Sequence, residues 1–146
     1  MKKRPISRSL EDYIEAIFII TSKHDNVARA KEIADQLDVS RASVTGALKT
    51  LSSRGIINYT PYSYITLTPT GKKLGKKLLK RHKTLKNFFV KILGINNKKA
   101  ELAACGIEHS VDEEILDKFH DLLEHIEKNP QFIPSSLKKA KTDSSL

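Results

Sequence analysis

Cysteine and long apolar runs are both scarce in this chain of 146 residues. Its single cysteine, Cys105, excludes a disulfide framework and favours a reducing compartment. The longest run of large apolar side chains is four, at residues 17–20, far below the ~20 residues that span a bilayer. The basic N-terminal stretch has no apolar segment of the kind found in a secretory signal. We therefore expect a soluble cytoplasmic protein without a membrane partner.

Acidic side chains are absent from the middle of the chain. Residues 39–100 contain 14 Lys and Arg but no Asp or Glu, whereas residues 101–146 contain 5 basic and 10 acidic residues. The formal net charge is +9. A basic half joined to an acidic half is typical of proteins that bind a polyanion such as nucleic acid. A basic surface that is merely solvated gives the same pattern, so charge alone leaves both interpretations open.

Three helices are predicted in the first third of the chain. Residues 9–22 have apolar side chains at helical spacing, and Ser9 with Asp12 predicts an N-cap and capping box. Residues 29–37 form the second predicted helix. Ser40 is the predicted N-cap of the third, which extends to Arg54 with Gly55 as its C-terminal stop.

A hairpin and further helices are predicted after these. Residues 56–68 are rich in tyrosine and β-branched side chains, which predicts a β-hairpin with its turn near residues 60–63. Thr68 as N-cap and Pro69 as first helical residue predict a long helix that extends to Leu93. The remaining predicted helices are residues 96–110 and 111–128.

The second and third helices fit a helix-turn-helix unit. Ala34 is the small residue where the two helices cross, and Asp38 occupies the left-handed turn position that is usually glycine. Apolar side chains are then expected at Ile33, Leu37, Val39, Val44 and either Ala47 or Leu48. Helical hairpins without DNA-binding activity share this spacing. The hairpin that follows, which would be a wing, and the acid-free stretch favour DNA binding.

A helix-turn-helix unit places the start of its second helix in the major groove of DNA. The predicted base-edge residues are Ser40, Arg41, Ala42, Ser43, Thr45 and Lys49. Of these, only Arg41 has a side chain that makes a bidentate contact with guanine, which is worth ~1–3 kcal/mol of discrimination. The residues predicted to contact the phosphate backbone of the DNA are Arg29, Lys31 and Arg54, with Tyr62 and Tyr64 at the wing.

Three groups of side chains have the chemistry of metal ligands. They are Asp12 and Glu15 on the first helix away from its main apolar stripe, His82 on the inward stripe of the long helix, and Cys105, Glu108 and His109 on one face of a later helix. Each has an ordinary structural explanation: a helix cap, a solvated carboxylate, a hydrogen-bonded core histidine or a small buried thiol. Spacing alone does not bring the three segments together.

The order of motifs along residues 9–132 resembles one protein family. The segments S-L-E-D-Y-I-E-A-I, the helix-turn-helix and wing, L-T-P-T-G-K-K-L, R-H and G-I-E-H are similar to those of the diphtheria toxin repressor/manganese transport regulator (DtxR/MntR) family. The resemblance implies a homodimeric winged-helix repressor. It also implies a divalent metal ion between the DNA-binding lobe and a helical dimerisation lobe.

Carried over residue by residue, the resemblance implies six metal ligands: Asp12, Glu15, His82, Cys105, Glu108 and His109. Cys105 stands where manganese-type members have a glutamate and iron-type members a cysteine. Carboxylates suit Mn²⁺, whereas a thiolate favours Fe²⁺, Co²⁺ or Zn²⁺. We therefore expect Fe²⁺ or Mn²⁺, with Co²⁺ or Zn²⁺ binding in vitro. Lys86 and Glu101 stand where the ancillary site of iron-type members has a carboxylate and a histidine, so that site is not expected.

The expected architecture is mostly α with a small β-hairpin wing. Residues 1–71 are expected to form the winged helix-turn-helix domain and residues 72–132 a helical metal-binding and dimerisation domain, without an SH3-like domain. Residues 133–146 are expected to be a disordered tail, and DNA contacts from Lys138, Lys139 and Lys141 are left open.

The expected function is metal-dependent repression of metal uptake or homeostasis genes by a homodimer on a palindromic operator. The first alternative is a metal-independent winged-helix or architectural DNA-binding protein, which predicts weak sequence preference and no metal effect. The second is a metalloenzyme, since His, Glu and Cys also hold catalytic ions. The sequence offers no base or pocket for a small organic substrate, so we expect no enzymatic activity.

Overall fold

The computed structural model describes residues 4–138. Within them the chain is mostly helical, with one two-stranded antiparallel sheet, as the sequence predicts. The elements are α1 Arg8–Lys23, α2 Ala30–Leu37, α3 Arg41–Ser53, β1 Ile57–Asn58, β2 Thr66–Leu67, α4 Pro69–Asn87, α5 Asn97–Ile107 and α6 Glu113–Lys128. The chain divides into two compact units between Leu79 and Lys80, within α4. Across residues 4–138, the helices are too short or too polar to cross a membrane.

The predicted cap of α1 is wrong. Ser7, with extended backbone angles, is the N-cap, and its Oγ accepts a hydrogen bond from the backbone N–H of Leu10 at 3.3 Å. Ser9 and Asp12 therefore lie inside the helix. Ser7 has the same capping chemistry as Ser9, and it is Ser7 that satisfies the free N–H of Leu10.

The helix-turn-helix forms as the sequence predicts. Asp38 has the left-handed angles φ 52° and ψ 52°, and the Oγ of Ser40 accepts a hydrogen bond from the N–H of Ser43 at 3.1 Å to cap α3. At the start of α2, the backbone N–H of Arg29 donates to Glu32 Oε2 at 2.8 Å. Both helices thus begin with satisfied backbone donors.

The first unit has one continuous apolar core. Ile33, Val44 and Leu48 are fully buried, and Ala34 and Ala47 are buried beside them. Val39 differs from the prediction because 37% of it is exposed. It lies in the connection between the left-handed Asp38 and the start of α3, so its side chain is not covered on all sides by the two helices.

The wing has two short strands and is joined to the segment that precedes α2. Ile57 pairs with Leu67 and Asn58 with Thr66, while an additional antiparallel bridge joins Ala28, before α2, to Ile65. This bridge places the wing beside the start of the helix-turn-helix.

Helix α4 begins as predicted. The Oγ1 of Thr68 accepts a hydrogen bond from the N–H of Gly71 at 3.0 Å, and Pro69 is the first helical residue. A Cβ at Gly71 would lie 2.0 Å from the carbonyl oxygen of Ile56, so only glycine fits this close approach.

In the second unit, the last turns of two predicted helices are not α-helical. The α-helical part of α4 ends at Asn87, and the chain continues as a π-helical segment, Phe88–Ile92, before Gly94 with φ 66°. Helix α5 ends at Ile107 and is followed by a 3₁₀ turn, Glu108–Ser110. The predicted helix over residues 96–110 is therefore wrong in its last turn.

The second unit contains a small apolar cluster. Ile92, Leu123 and Ile126 are buried together, and partly buried Phe88, Leu93 and Ile133 pack against them. The rings of Phe88 and Phe119 meet edge to face at 5.0 Å. Beyond α6, Pro130–Phe132 and Ser135–Leu137 form 3₁₀ turns. Of the disordered tail expected at residues 133–146, residues 139–146, with Lys139 and Lys141, lie outside the described residues.

Candidate nucleic-acid interface and metal centre

The start of α3 and the wing line one open groove of about 770 Å³ in the first unit. Arg41, Thr45 and Lys49 line it from α3, and Arg29 lines it from the N-cap of α2. The remaining lining residues are Ala30, Tyr59, Pro61, Tyr62, Ser63 and Tyr64. No acidic side chain is among these lining residues. The groove is therefore cationic, with aromatic side chains on the wing.

Arg29 is held against the wing. Its Nη2 donates a hydrogen bond to Tyr64 Oη at 3.2 Å, and its guanidinium carbon lies 5.2 Å from the centre of the Tyr64 ring. Tyr62, by contrast, is fully exposed at the tip of the wing with a left-handed φ of 63°. One tyrosine thus orients a cation, and the other is available to a large ligand.

The other predicted DNA-binding residues lie on different parts of the first unit. Ser40, Ala42 and Ser43 are exposed at the start of α3, although the two serine hydroxyls also bond to each other at 3.0 Å. Lys31 is exposed on α2. Arg54 does not line the groove, since its Nη2 donates to the carbonyl oxygen of Arg4 at 2.8 Å.

Three side chains with the chemistry of metal ligands lie together within the second unit. A ring nitrogen of His82, the Sγ of Cys105 and a carboxylate oxygen of Glu108 all lie within 4.8 Å of one another. His82 comes from α4 and Cys105 from α5, while Glu108 lies in the 3₁₀ turn that follows. Cys105 is exposed, so its alternative explanation as a small buried thiol is wrong. Glu108 is fully buried.

The imidazole of His82 lies between two carboxylates. Its Nδ1 is 2.5 Å from Glu108 Oε2, and its Nε2 is 2.7 Å from Glu101 Oε1. The hydrogen bond to Glu108 raises the pKa of His82, whereas burial of the ring acts to lower it. The negative charges of Glu108 and Glu101 also raise this pKa, so the pKa of His82 lies above its usual value.

Glu101 is itself engaged on both oxygens. Its Oε2 lies 3.0 Å from the Nζ of Lys86, while its Oε1 accepts from His82. Burial acts to raise the pKa of Glu101, but the hydrogen bonds from Lys86 and His82 outweigh it, so the pKa lies below its usual value.

The donor set fits a divalent transition ion. Glu108 Oε1 is buried, accepts no hydrogen bond from residues 4–138 and lies 3.4 Å from His109 Nε2. A buried carboxylate oxygen without a donor is costly unless a cation or proton satisfies it. Imidazole, thiolate and carboxylate together are ligands of the later first-row metals. His82, Cys105 and Glu108 would hold such an ion.

The remaining predicted ligands are placed as follows. His109 follows Glu108 in the 3₁₀ turn, and its Nδ1 lies 3.3 Å from Arg81 Nη2. Because α5 ends at Ile107, the side chains of Cys105, Glu108 and His109 do not share one α-helical face. Asp12 and Glu15 lie on α1 in the first unit. Glu15 is only 9% exposed, so the alternative that it is a solvated carboxylate is wrong. That Asp12 and Glu15 share an ion with the other predicted ligands stays a prediction.

The contacts that Glu101 and Lys86 make beside His82 were not predicted from the sequence. The family resemblance indicated only that these two residues replace ligands of an ancillary site. Their spacing did carry a signal, because Glu101 lies four residues before Cys105 on α5 and Lys86 lies four residues after His82 on α4. Side chains four residues apart share a helix face, which places this pair beside two predicted ligands.

Both halves of the chain match known domains. Residues 5–65 match the N-terminal DNA-binding domain of iron-dependent repressors, and residues 68–135 match their metal-binding and dimerisation domain.

Named relatives agree with these matches. An uncharacterised HTH-type transcriptional regulator of Methanocaldococcus jannaschii is 38% identical over 82% of this chain and 95% of its own length. The HTH-type transcriptional regulator MntR of Lysinibacillus sphaericus is 35% identical over 94% of this chain and 97% of its own length. The crystal structure of ScaR with bound Zn²⁺ is similar with a TM-score of 0.66 and 27% identity over 80% of this chain. The chain spans about half, 54%, of that ScaR chain.

Proposed function

The chain belongs to the DtxR/MntR family of metal-dependent transcriptional repressors, and we propose that its homodimer binds a palindromic operator when loaded with Fe²⁺ or Mn²⁺. The genes it controls are those for metal uptake or homeostasis. It acts in the cytoplasm and catalyses no reaction. The observation that carries the proposal is the group formed by His82, Cys105 and buried Glu108 inside the part that matches the metal-binding domain.

The proposed metal site has six ligands from two units. His82, Cys105, Glu108 and His109 belong to the second unit, and Asp12 and Glu15 of α1 are assigned by the family resemblance. A bound divalent ion supplies the positive charge that offsets the carboxylates of this set. His82 contributes a nitrogen ligand, Cys105 a thiolate and Glu108 its oxygens. The softer thiolate favours Fe²⁺ over Mn²⁺, and the carboxylates have the opposite preference.

The proposed DNA contacts follow from the cationic groove. Arg41 reads a base edge in the major groove from the start of α3, beside Ser43 and Thr45. Arg29, which Tyr64 holds in place, contacts a phosphate, and Tyr62 contacts the sugar–phosphate backbone from the wing tip. The remaining proposed contacts are Lys31, Ser40, Ala42, Lys49 and Arg54.

Exposed apolar side chains of the second unit support a homodimer. Leu102 of α5 is 67% exposed, and Ile115 and Leu122 of α6, seven residues apart on one helix face, are nearly half exposed. A unit with so small an apolar cluster gains stability by covering such side chains with a second subunit.

We test the proposal by fluorescence anisotropy with the metal-free full chain and DNA from upstream of its own gene. Fe²⁺, Mn²⁺, Co²⁺ and Zn²⁺ are added separately without oxygen, and a scrambled duplex is the control. The expected result is a ~5–150-fold gain in affinity for the native duplex alone, since 1–3 kcal/mol is the usual coupling between two sites.

The matched variants are Glu108→Ala and Glu124→Ala. Glu108 belongs to the proposed site, whereas Glu124 is an exposed carboxylate of α6 that pairs with His120 at 3.3 Å. Only Glu108→Ala is expected to abolish the metal effect. Equal binding to both duplexes without any response to metal would instead favour the metal-independent DNA-binding protein.

A further inference from the structure

The carboxylate of Glu101 and the ammonium of Lys86 form a pair beside the proposed metal ligands. Lys86 lies four residues after His82 on α4, and Glu101 lies four residues before Cys105 on α5. Both therefore share a helix face with a proposed ligand. Among residues 4–138, Glu101 accepts hydrogen bonds from His82 and Lys86.

The two nitrogens of His82 face opposite ways. Nε2 bonds to Glu101 at 2.7 Å, and this leaves Nδ1 directed at Glu108, whose Oε2 is 2.5 Å away. Rotating the ring about its Cβ–Cγ bond would break both hydrogen bonds at once. The ring orientation that presents Nδ1 to the metal-ligating group is therefore the one that Glu101 stabilises.

Lys86 restrains Glu101. The Glu101 side chain is 46% exposed, so burial alone does not fix its rotamer. One of its oxygens accepts from His82 and the other lies 3.0 Å from Lys86 Nζ. Because both of its oxygens are engaged, the Glu101 carboxylate stays at the Nε2 side of the imidazole, away from Glu108, and is not available as a further ligand.

We propose that Glu101, held by Lys86, is a positioning residue that orients His82 for metal binding. The proposal rests on the metal site of the proposed function and adds two residues that act through His82 without touching the ion. Metal-ligating histidines commonly donate their second N–H to a carboxylate, which fixes the ring and strengthens the ligand. Here the carboxylate comes from α5, and an ammonium from α4 holds it.

The test is a Co²⁺ titration of the metal-free full chain without oxygen. Affinity is measured by competition with a chelator, while the visible bands of Co²⁺ and the thiolate charge-transfer band report on the ligand geometry. The variants are Glu101→Ala, Glu101→Gln and Lys86→Met. Glu124→Ala is the matched control, because Glu124 also pairs with a histidine of the same unit but lies outside the group.

Glu101→Ala is expected to weaken Co²⁺ binding by about 10–100-fold and to shift the visible bands. Glu101→Gln is expected to restore most of the affinity, because its amide oxygen still accepts from Nε2–H. Lys86→Met should fall between these two variants, and Glu124→Ala should match wild type. Circular dichroism establishes that each variant is folded. If Glu101→Ala does not fold, Glu101→Gln and Lys86→Met still carry the test.

Three outcomes overturn the proposal. Wild-type affinity and spectrum in Glu101→Ala would show that Glu101 does not act on His82. Equal losses in Glu101→Gln and Glu101→Ala would make Glu101 a direct ligand, since a carboxamide is a poor substitute for a carboxylate at a metal. A wild-type chain that binds no Co²⁺ would overturn the proposed metal site itself, and the role of Glu101 with it.

Discussion

The two units of this protein are built on different kinds of interior. In the first unit, as far as residues 4–138 show, 16 buried apolar residues from α1, α2, α3, the wing and α4 form a single core. In the second unit the corresponding cluster contains three buried residues, Ile92, Leu123 and Ile126, and the buried Leu85, Ala100, Ala104 and Leu116 lie outside it. The second unit also buries the ionisable pair His82 and Glu108, which bond directly to each other.

This difference indicates where the molecule responds to a ligand. Apolar burial contributes roughly 25 cal/mol per Å² whatever the direction of contact, so the apolar core of the first unit does not need a charged ligand. A buried ionic pair stabilises a fold only when its remaining polar atoms are satisfied, and Glu108 Oε1 has no hydrogen-bond donor within residues 4–138. The second unit therefore has the most to gain from a bound cation.

The greatest loss of stability is expected from a substitution in the core of the first unit. Leu48→Ala removes a fully buried side chain from α3 and is expected to lower the free energy of unfolding by about 2–5 kcal/mol, because a cavity is left behind. Urea unfolding of the metal-free protein measures it. Thr50→Ala, at an exposed position of the same helix, is the control and should change little. A loss below ~1 kcal/mol in Leu48→Ala would contradict a close-packed core.

Metal removal tests the second unit. At a free metal concentration of 100 times Kd, the ion is expected to raise the free energy of unfolding by about 2.7 kcal/mol, and a chelator should abolish that gain. Glu108→Ala is expected to lose the gain, whereas Leu48→Ala should retain it. Thermal unfolding with and without Mn²⁺ or Co²⁺ measures this gain in stability in each variant. A gain that survives in Glu108→Ala would place the ion elsewhere.

A third comparison separates DNA recognition from metal binding. Arg41→Ala is expected to weaken operator binding by about 1–3 kcal/mol and to relax specificity at one base pair. Lys31→Ala, which removes a proposed phosphate contact, should weaken binding to all sequences and reduce the salt slope by about one. Anisotropy titrations over a salt series distinguish them, and metal affinity should be unchanged in both. Identical behaviour of the two variants would contradict base reading by Arg41.

The smallest change in the free energy of unfolding is expected when one helix cap is removed from either unit. Ser40 caps α3, and Asp112 caps α6 by accepting from the N–H of Ile115 at 2.9 Å. Replacing either residue by alanine is expected to lower the free energy of unfolding by ~1 kcal/mol, since one backbone donor loses its partner. Urea unfolding monitored by circular dichroism measures the change. No loss from Asp112→Ala would mean that unfolding of the second unit does not limit the measured stability.

The features that depend on neighbours along the chain could be predicted from the sequence. The left-handed turn at Asp38, the cap at Ser40 and the start of α4 at Pro69 need only local backbone chemistry. The inward position of His82 followed from the helical spacing of apolar residues around it. The cap of α1 was misplaced because Ser7 and Ser9 have the same capping chemistry, and spacing does not choose between them.

The tertiary structure set the surroundings of the proposed metal ligands. It ended α5 at Ile107, and it left Cys105 exposed while burying Glu108 three residues later. It also brought Glu101 to the second nitrogen of His82, 19 residues earlier in the chain. These facts depend on which side chains of α4 and α5 approach each other, and helix periodicity gives the face of each helix but not its partner.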